Sequence, residues 1–275
     1  MISLDQNVGT PPLVEKVREI FSTSGLLAQA KNFEYRPEQQ DMAVEVAAAL
    51  VEGRHLVVEA GTGVGKSLAY LIPAILFALE KKKKAVVSTY TINLQEQLVH
   101  KDLPIVRSVL GVDFEAMLWK GRQNFLCPAR LQRAMDHAGE LFTSPEIAEL
   151  KRIWEWAQTT SDGSLADFSV EPDSNVWSQV CSEQHICTTK TCGENPRCFY
   201  QRARKRLLMA DVVVMNHTLF FLNLGTIAEA EENESGYIFA NDFVIFDEAH
   251  TVEQVASRHT GLGVSQYGLR YALHR

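Results

Sequence analysis

The run Ala60-Gly61-Thr62-Gly63-Val64-Gly65-Lys66-Ser67 constrains the fold more than any other stretch of this sequence. It follows the apolar run His55 to Val58 and precedes Leu68-Ala69-Tyr70-Leu71-Ile72, so it lies where a strand would hand over to a helix. A loop of small residues in that context lets backbone N–H groups close around the β- and γ-phosphates of a nucleotide, since no side chain blocks the approach. Lys66 brings a mobile positive charge to those phosphates, and the Ser67 hydroxyl is placed to ligate Mg²⁺. The helix that begins here adds the positive end of its dipole. The first position is Ala60 rather than glycine; Gly61, Gly63 and Gly65 supply the backbone freedom.

Strand, loop and helix then repeat. Ala85-Val86-Val87-Ser88-Thr89 reads as a buried strand that leads into a polar helix start, Tyr90 to Leu98, and apolar strand patterns return at Asp211–Met215 and Asn241–Phe246. This alternation predicts an α/β fold built on a parallel sheet covered on both faces, with ligands at the carboxyl ends of the strands. Ser88, Thr89 and Gln95 stand at such an end, where they either hold a nucleic-acid backbone or cap local structure. The last strand delivers Asp247-Glu248-Ala249-His250 to its carboxyl end. Paired carboxylates there are what a phosphate loop needs: Asp247 to hold Mg²⁺ through its water shell, Glu248 to polarise the attacking water, His250 to bridge to the nucleic-acid side. Upstream, Pro37 suits the first turn of a helix, which puts Arg36 and Gln39 at its entrance and in a position for Gln39 to read an adenine edge.

Composition sets outer bounds. A chain of 275 residues with 46% hydrophobic content forms one large domain or two smaller ones. No apolar run approaches the ~20 residues that cross a bilayer, and Met1-Ile2-Ser3-Leu4-Asp5 lacks the layout of a signal peptide, so the expected place is the cytoplasm, with no membrane partner. A net charge of −7 argues against a surface coated in positive charge but leaves local basic stripes open.

Of five cysteines, Cys181, Cys187, Cys192 and Cys198 crowd into one short segment. In a reducing compartment that pattern points to a metal site rather than a disulfide framework. The segment belongs to a stretch, about Gly121 to Tyr200, whose periodicity departs from the sheet pattern: a helical run from Glu146 to Gln158, then a polar loop. Sheet-like sequence resumes only afterwards, so the stretch reads as an inserted subdomain. Around it lie Lys120, Arg122, Arg130 and Arg133, then Arg197, Arg202, Arg204, Lys205 and Arg206. They form either a track for a DNA backbone, with Phe125, Phe199 and Tyr200 available for stacking, or a solvated helix face.

The phosphate loop taken with Asp247-Glu248-Ala249-His250 resembles the motif pair of superfamily 2 helicases, which couple ATP hydrolysis to movement along nucleic acid. Cys127 within Trp119 to Pro128, the spacing Cys187-x4-Cys192-x5-Cys198, Ala210 to His217 and Arg36-x-x-Gln39 together resemble the iron-sulfur helicases. The cysteine spacing is closer to their DinG branch than to the XPD branch. The resemblance runs from about Phe33 to His250. It implies a RecA-like motor domain over 33–119 and 206–255, an iron-sulfur subdomain over 120–205, a helical segment over 1–32, and the start of a further region over 256–275. It also implies that Cys127, Cys187, Cys192 and Cys198 ligate a 4Fe-4S cluster with Cys181 left over, zinc being the alternative. The implied function is an ATP-dependent, 5′ to 3′ DNA helicase using ATP and Mg²⁺ on single-stranded or forked DNA, as a monomer and with single-stranded DNA-binding protein as a companion. The family continues past this point into a second motor domain carrying an arginine finger. The expectation is therefore weak nucleotide and DNA binding, slow hydrolysis, no unwinding by this chain alone, poor solubility from an open sheet edge, and no room for an N-terminal exonuclease domain. The second reading is a non-catalytic DNA-binding or redox-sensing module that kept the metal and lost the motor.

Overall fold

A computed structural model describes residues 11–30, 33–183, 186–187, 192, 195–229 and 242–259. The chain divides into two compact units, one made of residues 1–118 and 210–275, the other of 119–209.

The first unit is a layered α/β structure. Helix α1 (Pro12–Ile20) starts on a proline, whose missing N–H costs nothing in a first turn, and buries Leu13, Val14, Val17 and Ile20 at helical spacing. Helix α2 (Pro37–Glu52) also opens on proline and stops where Gly53 turns left-handed. Helix α3 (Lys66–Lys81) is apolar all round from Ala69 to Ala78, so it lies inside the core rather than on it. Burying Leu71, Ile72 and Ile75 completely contributes about 1.5–3 kcal/mol each.

Strand β1 (Ala85–Thr89) leads through a cap at Thr91 into α4 (Ile92–Gln97), a π-turn (Leu98–Asp102) and α5 (Leu103–Leu110). Pro104 lies just beyond the π-turn and has no N–H to give an α-helical bond, which favours a break in the ladder there. Strands β2 (Ala116–Leu118), β3 (Val212–Asn216) and β4 (Phe243–Phe246) complete a sheet of order β2-β3-β1-β4. All pairs are parallel: Val86 is in register with Val213 and Val244, and Met117 with Val213. β1 is buried along its whole length and β3 from Val212 to Met215, as strands covered on both faces must be.

One expectation fails here. His55 to Val58 forms no strand; residues 54–60 are irregular, and Val57 is 96% exposed. A strand needs a neighbour for its backbone groups. Among the described residues β4 ends the sheet and pairs only with β1, and residues 54–60 do not pair with its other edge.

In the second unit, α6 (Pro128–Asp136), α7 (Ala138–Leu141), α8 (Ser144–Ala157), α9 (Ser174–Val180) and α10 (Phe199–Met209) surround a small core of Leu126, Leu131, Leu150, Ile153, Val176 and Val180. Trp156 stacks on Phe168 at 3.9 Å between centroids, and Trp177 Nε1 donates to the Gln123 carbonyl at 2.8 Å. Among the described residues no helix is long and apolar enough to cross a membrane. The first unit closes with α11 (His217–Glu229) and α12 (Val252–His259).

Candidate functional site

The glycine-rich loop and the carboxylates, far apart in sequence, meet at the carboxyl end of the sheet. Gly63 and Gly65 adopt φ of 83° and 86°, the left-handed region in which glycine is unstrained, and Gly65 is the N-cap of α3. The loop glycines 61, 63 and 65 are exposed, as a surface that receives a phosphate must be. Ala60, Val64, Lys66 and Ser67 are partly buried and Thr62 is exposed. Lys66 Nζ lies 3.6 Å from Glu248 Oε1, with about a third of each side chain accessible. The loop cation thus rests on the carboxylate expected to handle water.

Asp247 and Glu248 follow β4. The Asp247 N–H donates to the Ser88 carbonyl at 2.8 Å, extending the strand pairing by one step. The Asp247 carboxylate accepts from the Tyr70 hydroxyl at 3.2 Å. Burial, and then the neighbouring charge of Glu248, raise the Asp247 pKa; Tyr70 and Lys66 act against that. A divalent cation would reverse the balance, since it favours the ionised carboxylate. Glu248 sits at φ 56°, a left-handed conformation that a non-glycine residue adopts at a cost of about 1 kcal/mol or more. That turn aims its carboxylate at Lys66 on one side and at His250 Nδ1, 3.4 Å away, on the other. His250 is mostly exposed.

Gln39 is 3% exposed and its Nε2 donates to the Gly65 carbonyl at 2.9 Å, so the side chain clamps the loop. Arg36 is half-buried and pairs with Glu34 at 3.2 Å. Ser88 and Thr89 are fully buried, and Gln95 is 4% exposed with its amide on the Thr91 carbonyl. Ser88 gives its hydroxyl to a contact with His217 Nδ1 at 2.7 Å. All three face protein rather than solvent.

The sequence alone assigned no role to Tyr70 or to His217, the last residue of the Ala210–His217 match. Tyr70 lies one helical turn beyond Lys66, on the same face of α3, and that spacing was its available signal. His217 follows β3 directly and sits beneath the Asp247–Glu248 turn. Burial lowers its pKa, while the backbone of Glu248 and Asp247 works to raise it. Its Nε2 still has no partner at hydrogen-bonding geometry.

In the second unit the thiols of Cys127 and Cys187 are 3.6 Å apart. Burial and the nearby Cys187 push the Cys127 thiol up to about 12. Burial also acts to raise Cys187, but hydrogen bonds from the Glu183 backbone, Ser182 and Cys127, with the charge of Arg130, outweigh it and leave the pKa lowered. Cys192 interacts electrostatically with both Cys187 and Cys198. Cys181 is buried, bridges backbone to Leu126 and points its sulfur at the Ser178 carbonyl. Among the described residues no three His, Cys, Asp or Glu side chains converge on a single ion position. Residues 188–191 and 193–194, between these cysteines, lie outside the described residues.

The basic residues divide by what they touch. Lys120 Nζ bonds Ser164, Arg122 bonds the Cys187 carbonyl and covers the Tyr200 ring at 4.2 Å, and Arg130 holds the Cys181 and Ser178 carbonyls. Arg202 lies over Phe199 at 4.6 Å and reaches the Ser161 carbonyl. Lys205 and Arg206 are exposed on α10.

Residues 37–123 match the DEAD/DEAH box helicase family. The chain is 37% identical over 249 residues to the ATP-dependent DNA helicase YoaA of Haemophilus influenzae, across 90% of this chain and 38% of that protein. It is 39% identical over 250 residues to the Escherichia coli protein of the same name, across 89% and 38%. With the ATP-dependent helicase DinG of Mycobacterium tuberculosis the identity is 38% over 248 residues, across 84% and 36%. The chain thus spans well under half the length of these relatives. It carries a DEAD/DEAH box helicase domain and corresponds to an N-terminal part of the longer YoaA and DinG proteins.

Proposed function

We propose that this chain supplies the nucleotide-binding face of an ATP-dependent DNA helicase. The observation that carries the reading is the convergence of Lys66, Glu248, Asp247 and the open glycine loop at one end of a parallel sheet. Loop N–H groups and Lys66 bind the phosphates. Ser67 and Asp247 would hold Mg²⁺, which supplies charge neutralisation at the phosphates. Entry of a nucleotide draws Lys66 away from Glu248 and frees that carboxylate to orient water and take its proton. Nucleotide titration tests this: wild type binds MgADP and MgATP, Lys66→Ala binds neither, and Glu248→Gln binds without hydrolysing. A chain with no affinity for MgADP would refute it.

The same reading places Cys127, Cys187, Cys192 and Cys198 around a 4Fe-4S cluster. Four thiols suit such a group, which would staple a subdomain of small core. Zinc is the second reading, because the 3.6 Å between Cys127 and Cys187 is near the ~3.8 Å edge of a tetrahedron with ~2.3 Å zinc–sulfur bonds. Iron, acid-labile sulfide and zinc analysis after anaerobic purification separates them. DNA is the proposed polymer, met through exposed cations such as Lys205 and Arg206.

A further inference from the structure

His217 has no part in the nucleotide chemistry proposed above, yet two contacts tie it to the turn that would perform it. The residue opens α11 directly after β3 and is 1% exposed. Its Nδ1 lies 2.7 Å from Ser88 Oγ, and the Ser88 carbonyl accepts from the Asp247 N–H at 2.8 Å. Its ring packs 5.8 Å, centroid to centroid, from Phe246, the last residue of β4 before Asp247. The other ring nitrogen is the anomaly. Nε2 is buried and has no hydrogen-bond partner among the described residues. A neutral imidazole has one donor and one acceptor nitrogen. With Nδ1 engaged by Ser88, Nε2 keeps a proton or a lone pair with nothing to meet it, which native interiors seldom tolerate without a reason.

The turn itself is held away from rest. Glu248 has φ 56°, and its carboxylate lies 3.6 Å from Lys66 Nζ. Nucleotide entry draws Lys66 to the phosphates, so the ion pair that accompanies this strained backbone is lost and the turn is free to relax. A peptide group carries both an N–H and a carbonyl, so the relaxing turn complements Nε2 whichever tautomer the Ser88 contact selects. A partner gained only in that state favours it over the present one, because a buried group left unpaired is costly.

We infer that His217 is a positioning residue for Glu248: Nδ1 anchors the ring on Ser88, and Nε2 takes the backbone of the Asp247–Glu248 turn as its partner once nucleotide has drawn Lys66 away, fixing the carboxylate for its work on water. The inference rests on the nucleotide-site reading given above. Phosphates bind to the loop N–H groups and Lys66 rather than to His217. Because only the re-aimed turn is productive, and accounts for no more than about half of the bound molecules, losing its extra bond costs about tenfold in rate but about twofold or less in affinity.

Side-chain geometry lets the two nitrogens be tested apart. An Asn amide branches at Cγ, as Nδ1 does, whereas a Gln amide lies one atom further out, near the place of Nε2. His217→Asn keeps the Ser88 contact and loses Nε2; it is expected to hydrolyse MgATP about tenfold more slowly while binding a non-hydrolysable MgATP analogue within about twofold of wild type. His217→Gln gives up the Ser88 contact and melts lower, but its folded molecules keep most of the rate. A second readout needs no active variant. In spectra of the purified wild-type chain carrying ¹⁵N-histidine, the His217 Nε2 signal, assigned by its absence from His217→Gln, should move when the analogue and Mg²⁺ bind, while the Nδ1 signal stays in place. The inference is overturned if Nε2 ignores a bound analogue, if His217→Asn turns over like wild type, or if its affinity falls as far as its rate. Where turnover is too slow to measure, or a variant fails to fold in thermal melts, the wild-type spectrum decides alone. A wild-type chain that binds no analogue removes the nucleotide reading and this inference with it; one that binds with Nε2 unmoved removes only this inference.

Discussion

Ser88 Oγ and His217 Nδ1 lie 2.7 Å apart, with both residues at 1% exposure or less. The contact joins β1 to the residue that follows β3, and the Ser88 carbonyl accepts from the Asp247 N–H. Three neighbouring strands are thus tied together under the left-handed Glu248 turn. Replacing Ser88 with alanine leaves a buried ring nitrogen unpaired and is expected to destabilise the first unit by about 1–3 kcal/mol. DNA affinity of the folded variant should be unchanged, because Ser88 does not reach solvent. Urea melts and a DNA titration check both halves.

The same burial predicts a pH dependence. His217 has a folded pKa below its ordinary value, first through burial. The unfolded chain therefore binds a proton that the folded chain refuses, and stability rises with pH across the window between the two values. It is fully present above the ordinary histidine value of ~6.5 and is lost as pH falls through the lowered one. His217→Gln should flatten this part of the stability profile below the ordinary histidine value of ~6.5. An unchanged slope would show that another group titrates.

Gly65 joins the loop to the core. Its φ of 86° penalises any side chain, and a Cβ would run into the Gln39 amide. Gly65→Ala is expected to weaken MgATP by more than about tenfold, since backbone strain and steric clash add. Gln39→Ala should weaken ATP and GTP alike, because Gln39 Nε2 is spent on the Gly65 carbonyl. Selective loss of ATP would mean that the side chain leaves the loop to read adenine.

How much of this was legible follows from what each residue needed. β1 and β3 are runs of Val and Ala buried on both faces, and their composition announces a parallel sheet before any contact is known. His55 to Val58 has similar composition but pairs with no strand among the described residues, and pairing is not written in a segment's own sequence. The phosphate loop and the carboxylate pair were legible as local patterns. The Tyr70–Asp247 bond, spanning 177 positions, was not, since it depends on tertiary packing. Ser88 and Thr89 were ambiguous for a related reason: a hydroxyl at a strand end faces solvent or core according to what covers it, and here it is covered.

The cations of the second unit are expected to separate in a salt titration of DNA binding. Lys205→Ala removes an exposed charge and should reduce the salt slope by about one. Arg130 has only 12% of its side chain exposed and holds two carbonyls and Glu183, so Arg130→Ala should leave the slope unchanged and lower the melting temperature. A reduced slope for Arg130→Ala would place it on the DNA instead.

Cys127 and Cys187 are neighbours of opposite character. Cys127 holds its proton up to about 12, while Cys187 is lowered by the donors around it. In metal-free protein iodoacetamide should therefore modify Cys187 ahead of Cys127 and the buried Cys181, because the thiolate is the nucleophile. Loading with metal must expel the Cys127 proton, so uptake should weaken as pH falls. Cys187→Ser is expected to abolish metal content and Cys181→Ser to retain it, since the Cys181 sulfur turns to the Ser178 carbonyl. Metal analysis and mass mapping of the alkylated residues check this, and a Cys181→Ser protein without metal would exchange the roles of the two cysteines.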